Sequence, residues 1–169
     1  DTVGWNYRMN ELTAAVALAQ VERIESLVSK RIEVANFFLE AIKGCDWLVP
    51  QKTPQGHVNT YWTFTLLYYG DDKYSVSWKE FWRKYKEMGG DGFYGGLSVV
   101  YQEPVMSSNV YKERILHNEN LDINYDGSCH VAEQIQPRMM QFKTNYRDLN
   151  IAKQQSNILK DTIKYFSIG

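Results

Sequence analysis

The sequence predicts an α+β domain, a small antiparallel or mixed sheet packed with helices and preceded by a long helical lead. Three observations carry this. Apolar residues recur at three- and four-residue spacings over 12–42, an aromatic and β-branched run occupies 60–69, and a second helical repeat closes the chain over 148–166. The 169 residues, 44% of them hydrophobic, suffice for one compact domain or a domain with an extended appendage.

In the lead, Leu12, Ala15, Val16, Ala19, Val21, Ile24, Leu27 and Val28 fall mostly on one helical face. Asn10 is the expected N-cap, and Glu11 sits in the first turn near the positive end of the helix dipole. The pattern continues through Ile32, Ala35, Phe38, Leu39 and Ile42 and stops at Lys43-Gly44. As one rod, residues 11–43 would measure about 50 Å, more than the width of a small domain. Two outcomes stay open: a break near 26–29, or a rod that reaches a second domain or subunit.

Pro50 to Gly56 reads as a loop, and Thr60 to Tyr69 as a strand followed by a turn at Gly70-Asp71-Asp72. Ser77-Trp78-Lys79-Glu80 is a capping box that opens a short helix carrying Phe81, Trp82, Tyr85 and Met88, closed by Gly89-Gly90. The segment Asp91-Gly92-Phe93-Tyr94-Gly95-Gly96 is too glycine-rich for an ordinary strand and implies tight turns or close backbone approach. As a phosphate loop it lacks the helix that should follow. Residues 107–127 are polar and irregular, 129–136 predict a short helix, and Met139 to Phe142 a short strand. Asp148 to Phe166 predicts a final helix buried through Ala152, Ile158, Leu159, Ile163 and Phe166.

Composition narrows function by exclusion. A net charge of −1 without a Lys/Arg run gives no long-range attraction to nucleic acid or to an anionic membrane. The apolar runs are too short to span a bilayer. Cys45 and Cys129 lie far apart with no CxxC pair, which predicts a reducing cytoplasm and neither a disulfide framework nor zinc. His57, His117 and His130 show no ligand spacing, so no metal site is expected. Nothing matches GxSxG, a Walker loop or GxGxxG. The 12 Tyr, 7 Phe and 5 Trp suit stacking on a sugar or base, and equally suit core and interface packing. Residue chemistry alone therefore supports a soluble α+β domain with a protruding helix.

One stretch says more. Gly4-Trp5-Asn6-Tyr7-Arg8-Met9-Asn10-Glu11, followed by Ala14-Ala15 and Ala19-Gln20-Val21-Glu22-Arg23, closely resembles the GxNYRMxExxAAxxxxQLxxL motif of the DegT/DnrJ/StrS family. These are pyridoxal-phosphate enzymes, chiefly sugar-nucleotide aminotransferases. The resemblance runs in order through Arg31 and Ala35, Asn59 to Leu67, Met88 to Gly90, Tyr101-Gln102-Glu103-Pro104, Ala132-Glu133 and the last helix. It covers nearly the whole chain and is strong at the start.

The resemblance implies the C-terminal half of such an enzyme, with an aspartate-aminotransferase-like fold. Residues 1–45 would be the motif segment and interdomain helix or helices, and 46–169 the small C-terminal domain. The large domain, with the Schiff-base lysine, would lie outside this chain, so no catalytic residue is assigned and the isolated chain is expected to be inactive. By resemblance, Asn6 reaches the cofactor phosphate of the neighbouring subunit in a homodimer. Arg8 orients Asn6, meets a substrate phosphate, or forms an interfacial salt bridge. Where many members carry a His-Tyr pair, this chain has Phe93-Tyr94-Gly95-Gly96, which assigns Tyr94 to the sugar side of the pocket with Tyr101 nearby. The activity implied is transfer of an amino group from glutamate or glutamine to a keto-sugar nucleotide in the cytoplasm. A sugar 3-dehydratase of the same family and a non-catalytic binding or dimerising module are the alternatives.

Overall fold

The computed structural model describes residues 7–108 and 127–167. Asn6 and most of the polar 107–127 stretch lie outside the described residues. Helix α1 (Glu11–Val21) opens as expected: Asn10 is extended, and its Oδ1 accepts the Thr13 N–H at 2.8 Å. No residue of α1 is buried; Leu12 is 84% and Val16 66% exposed, so its apolar face is uncovered.

The helical lead breaks at Glu22-Arg23, ahead of the 26–29 position that the sequence suggests, and α2 spans Ile24–Ala41. Neither glycine nor proline marks the break. Arg23 leaves helical geometry (φ −110, ψ 3), its N–H turns to the Gln20 carbonyl, and its Nε donates to the Ala19 carbonyl at 3.1 Å. A side chain thus takes the acceptor that the i−4 backbone bond would use.

A four-stranded antiparallel sheet follows, in the order β1 (Leu48–Pro50), β2 (Thr63–Tyr68), β4 (Met139–Lys143), β3 (Tyr94–Gly95). Phe64 pairs with Phe142 and Leu66 with Met140, so the period-two alternation aims one aromatic-aliphatic set at the same face. Three helices cover that face: α2, α4 (Trp78–Glu87) and α7 (Leu149–Ser167). Phe38 of α2 stacks on Phe64 at 5.5 Å, Tyr85 of α4 meets Phe142 edge-on at 5.7 Å, and Leu159 of α7 is fully buried. Each such side chain contributes roughly 1.5–3 kcal/mol by leaving water. The core runs from Val34 to Ile163.

Local chemistry explains the remaining elements. The Ser77/Glu80 capping box is formed in both directions, and α4 ends at Gly89 with φ +93. The strand expected from Thr60 begins only at Thr63, because Tyr61 takes φ +48, fixed by Asn59 Oδ1 accepting its N–H at 2.9 Å. The Gly70-Asp71-Asp72 turn is the start of a short helix, α3 (Gly70–Tyr74). Strand β1 escaped the sequence reading. It has only three residues and ends in Pro50, which an edge strand tolerates because its missing N–H faces no partner.

A 3₁₀ turn (Val100–Gln102), α5 (Pro104–Ser107), α6 (His130–Ile135) and a second 3₁₀ turn (Gln136–Arg138) are the other elements among the described residues. Of the glycine-rich segment, Gly92 has φ +94, and a Cβ on Gly96 would lie 2.7 Å from the Gln136 carbonyl oxygen. Turning and close approach are therefore what these glycines provide.

Candidate functional site

Among the described residues, the helices leave one sheet face open. Thr63 and Thr65 of β2 and Gln141 and Lys143 of β4 point there, opposite Phe64, Leu66, Met140 and Phe142. A groove of about 440 Å³ runs along this face, lined by Arg31, Trp62, Thr63, Tyr94, Gly95, Leu97, Gln141, Lys143 and Asn145. Two of its walls are aromatic rings held out to solvent: Trp62 is 77% and Tyr94 71% exposed.

Hydrogen bonds fix the groove's frame. Arg31 Nη1 donates to the Trp62 carbonyl at 2.9 Å and to Thr144 Oγ1 at 3.1 Å, while Thr144 Oγ1 donates to the Tyr61 carbonyl at 2.6 Å. This pins the left-handed corner that presents Trp62. Gln141 Nε2 donates to the Gly95 carbonyl at 2.9 Å, which holds the Tyr94 strand against β4. Lys143 pairs with Asp91, and its ammonium lies 4.6 Å from the centre of the Tyr146 ring. The lining holds two cations and no carboxylate.

The loop that carries Tyr94 is anchored from behind. Gln155, 6% exposed on α7, accepts from the Asp91 N–H at 2.8 Å and from the Tyr85 hydroxyl at 3.0 Å through one Oε1, and its Nε2 donates to the Gly89 carbonyl at 3.4 Å. Tyr146 Oη donates to both Asp91 oxygens at 3.0 Å. Burial first, and the Asp91 charge second, push the Tyr85 and Tyr146 phenols above their ordinary range.

Tyr101 is in a neighbouring apolar pocket of about 410 Å³, with Val100, Cys129, Ala132 and Met139; Leu97 lines both cavities. Its hydroxyl donates to the Glu133 carboxylate, which also accepts the Gly127 N–H at 2.8 Å. That bond, then burial, pushes the Tyr101 phenol up to about 12, and the same bond, against the opposing effect of burial, holds Glu133 below the usual carboxylate range. Tyr94 and Tyr101 thus line adjacent cavities, the first carrying polar and charged side chains and the second almost wholly apolar.

Arg8 is exposed ahead of α1 and lines neither cavity; Asn6 lies outside the described residues. Sequence reasoning missed Trp62, Gln141 and Lys143 as site residues. Strand alternation does put Gln141 and Lys143 opposite Met140 and Phe142, but nothing in the pattern says that the outward face is a site. Among the described residues no group of three or more His, Cys, Asp or Glu is placed to hold a metal, and Cys45 and Cys129 are free thiols.

For pyridoxal phosphate the groove lacks a free amine. The ammonium of Lys143 is committed to Asp91 and the Tyr146 ring, so this groove offers no amine for a Schiff base. Also among the described residues, no helix is long and apolar enough to cross a membrane.

Comparison with known proteins places this geometry. The model of the DegT/DnrJ/EryC1/StrS aminotransferase family matches residues 1–156. The chain is similar to the GDP-perosamine synthases of Escherichia coli O157:H7 (31% identical) and Vibrio cholerae (30%), each over 67 residues covering 40% of this chain and 18% of the relative. In fold it resembles PseC of Helicobacter pylori, an aminotransferase involved in the biosynthesis of pseudoaminic acid, with a TM-score of 0.69 at 16% identity over 98% of this chain. It likewise resembles S. venezuelae DesV, with a TM-score of 0.74 at 16% identity over 97% of this chain. The chain spans only 40% and 39% of those two structures. The fold is that of the aspartate-aminotransferase-like pyridoxal-phosphate enzymes. With the family model matching from residue 1, ahead of the NYRM motif, into the first turns of the last helix, the chain belongs to the DegT/DnrJ/EryC1/StrS aminotransferase family.

Proposed function

We propose that this chain is the C-terminal portion of a sugar-nucleotide aminotransferase, which moves an amino group from glutamate or glutamine to a keto-sugar nucleotide. The observation that carries the reading is the motif from Gly4 to Arg23 inside the family match. The open-face groove supports it: the Arg31 guanidinium and two exposed rings suit a ligand that joins phosphate to a ring.

In this reading residues 1–45 are the motif segment and interdomain helices, and 46–169 the small domain. Pyridoxal phosphate, the family's cofactor, supplies the electron sink when bound, and its seat is mainly in chain outside these residues. Asn6 donates to the phosphate of the neighbouring subunit's cofactor in a cytoplasmic homodimer. Tyr94 faces the sugar, Tyr101 closes the apolar side, and Arg8 meets substrate at the subunit edge.

The test uses the full-length protein. Borohydride reduction and peptide mass spectrometry should find the phosphopyridoxyl label on a lysine upstream of Asp1, and glutamate with a keto-sugar nucleotide should yield the amino sugar. A label on a lysine within the 169 residues, or cofactor binding without amino transfer to any keto-sugar nucleotide, overturns the reading.

A further inference from the structure

A second cavity of about 440 Å³ lies at the far end of α2, where the C-terminal ends of α2 and α7 meet α3 and the approach to β1. Lys43, Lys73, Lys160 and Lys164 line it, with Trp47 and Tyr74 among its apolar walls. Arg31 of the open-face groove is ten residues back from Ala41, roughly 15 Å along the helix, so the two cavities are separate.

The charge balance decides what this cavity suits. Its lining carries four ammonium groups and one carboxylate, Asp46, which is already paired with Lys73. Two helix C-termini contribute about −0.5 each. Setting the four positive charges of the lining against Asp46 and the two helix ends leaves about +2, which Glu40 and Asp161, just outside the lining, offset until an anion displaces them. Of the four, Lys160 makes no side-chain hydrogen bond or ion pair to a described residue, and it sits one helical turn from Lys164 on the same face.

Among the described residues Lys43 and Lys164 have as carboxylate partners only exposed i,i+3 neighbours, Glu40 at 3.4 Å and Asp161 at 3.6 Å, and neither acid lines the cavity. Such pairs are worth little and yield readily to a stronger anion. The lysines stand at 43, 73, 160 and 164, so no run in the sequence reveals the cluster.

We infer that this cavity binds a multiply charged phosphate, a diphosphate or phosphate ester, held by Lys43, Lys160 and Lys164, with Lys73 fixed by Asp46 as the wall. Flexible ammonium groups act as point charges on phosphate oxygens and need no planar match.

The experiment is isothermal titration of inorganic pyrophosphate into the cofactor-loaded full-length protein at low salt, where surface charges act most strongly. The wild-type protein should bind saturably. The double variant Lys160→Gln/Lys164→Gln should lose at least about ten-fold in affinity, and Lys79→Gln/Lys153→Gln, the same charge change on exposed positions away from the cavity, should stay within about two-fold. Both variants alter exposed side chains, and matching circular dichroism spectra confirm that each is folded. Absence of binding, equal loss in both variants, or no loss in the cavity variant overturns the inference.

Discussion

Gln155 gives the sharpest test of how the Tyr94 loop is held. Replacing it with Leu keeps the volume and removes the one oxygen shared by the Asp91 N–H and the Tyr85 hydroxyl. Tyr85 retains a weaker acceptor in the Gln155 backbone carbonyl at 3.4 Å, whereas the Asp91 N–H keeps none from this side chain. An orphaned half-buried N–H costs about 1–3 kcal/mol, and the weakened tyrosine bond adds a fraction of a typical ~1 kcal/mol. The greater hydrophobicity of Leu returns part of this, which leaves a net loss of about 2 kcal/mol. Because the loss falls on local opening of 85–94, hydrogen exchange of that segment in the full-length protein should speed up about 30-fold, at tenfold per 1.4 kcal/mol. The peptide over 63–68 in the sheet should change much less. Acceleration below about three-fold, or equal acceleration in both segments, would refute the argument that Gln155 is the local anchor.

Three further outcomes are expected. Phe142→Ala, at a 1% exposed position touching Phe38, Tyr85 and Phe93, should cost about 3–5 kcal/mol, measured by urea denaturation with the m-value monitored for loss of two-state behaviour. Ser77→Ala removes the hydroxyl that, with the Ser77 N–H, holds the Glu80 carboxyl below its usual range. A depressed folded-state value stabilises above the unfolded pKa and is lost as pH falls through the folded one, so the gap between wild type and variant should be full at neutral pH and narrow below about pH 4, as read from melting temperatures. Glu133→Gln replaces the carboxylate whose hydrogen bond raises the Tyr101 phenol with a neutral, weaker acceptor, so its titration, followed by nuclear magnetic resonance of labelled tyrosine, should fall from about 12 towards 10.

Much of the fold was legible because local rules and burial agree. The Asn10 cap, the Ser77/Glu80 box, the alternation through Phe64 and Leu66, and the Ala152/Leu159/Ile163 stripe all appear where spacing and side-chain chemistry put them. The helix break was not legible, since it rests on a side-chain bond from Arg23 to Ala19 with no glycine or proline to announce it. Gln155 is polar yet buried on α7, and a pattern of apolar positions passes over a residue whose burial depends on distant partners. For the site, the motif carried the family and Tyr94 was placed in a groove, but Trp62 and Lys143 gain their meaning only from the face they share with Arg31.

Helix α1 has a consequence of its own. Eleven residues without a buried side chain fall short of the roughly 12–15 that even good helix formers need to hold a helix in water. Its Asn10 cap contributes about 1 kcal/mol, against about 1–2 kcal/mol per residue of backbone freedom given up. Residues 11–21 therefore gain no packing energy from the rest of the described chain, and α1 is expected to fray first on warming, its amides exchanging with solvent well before those of the buried half of α2.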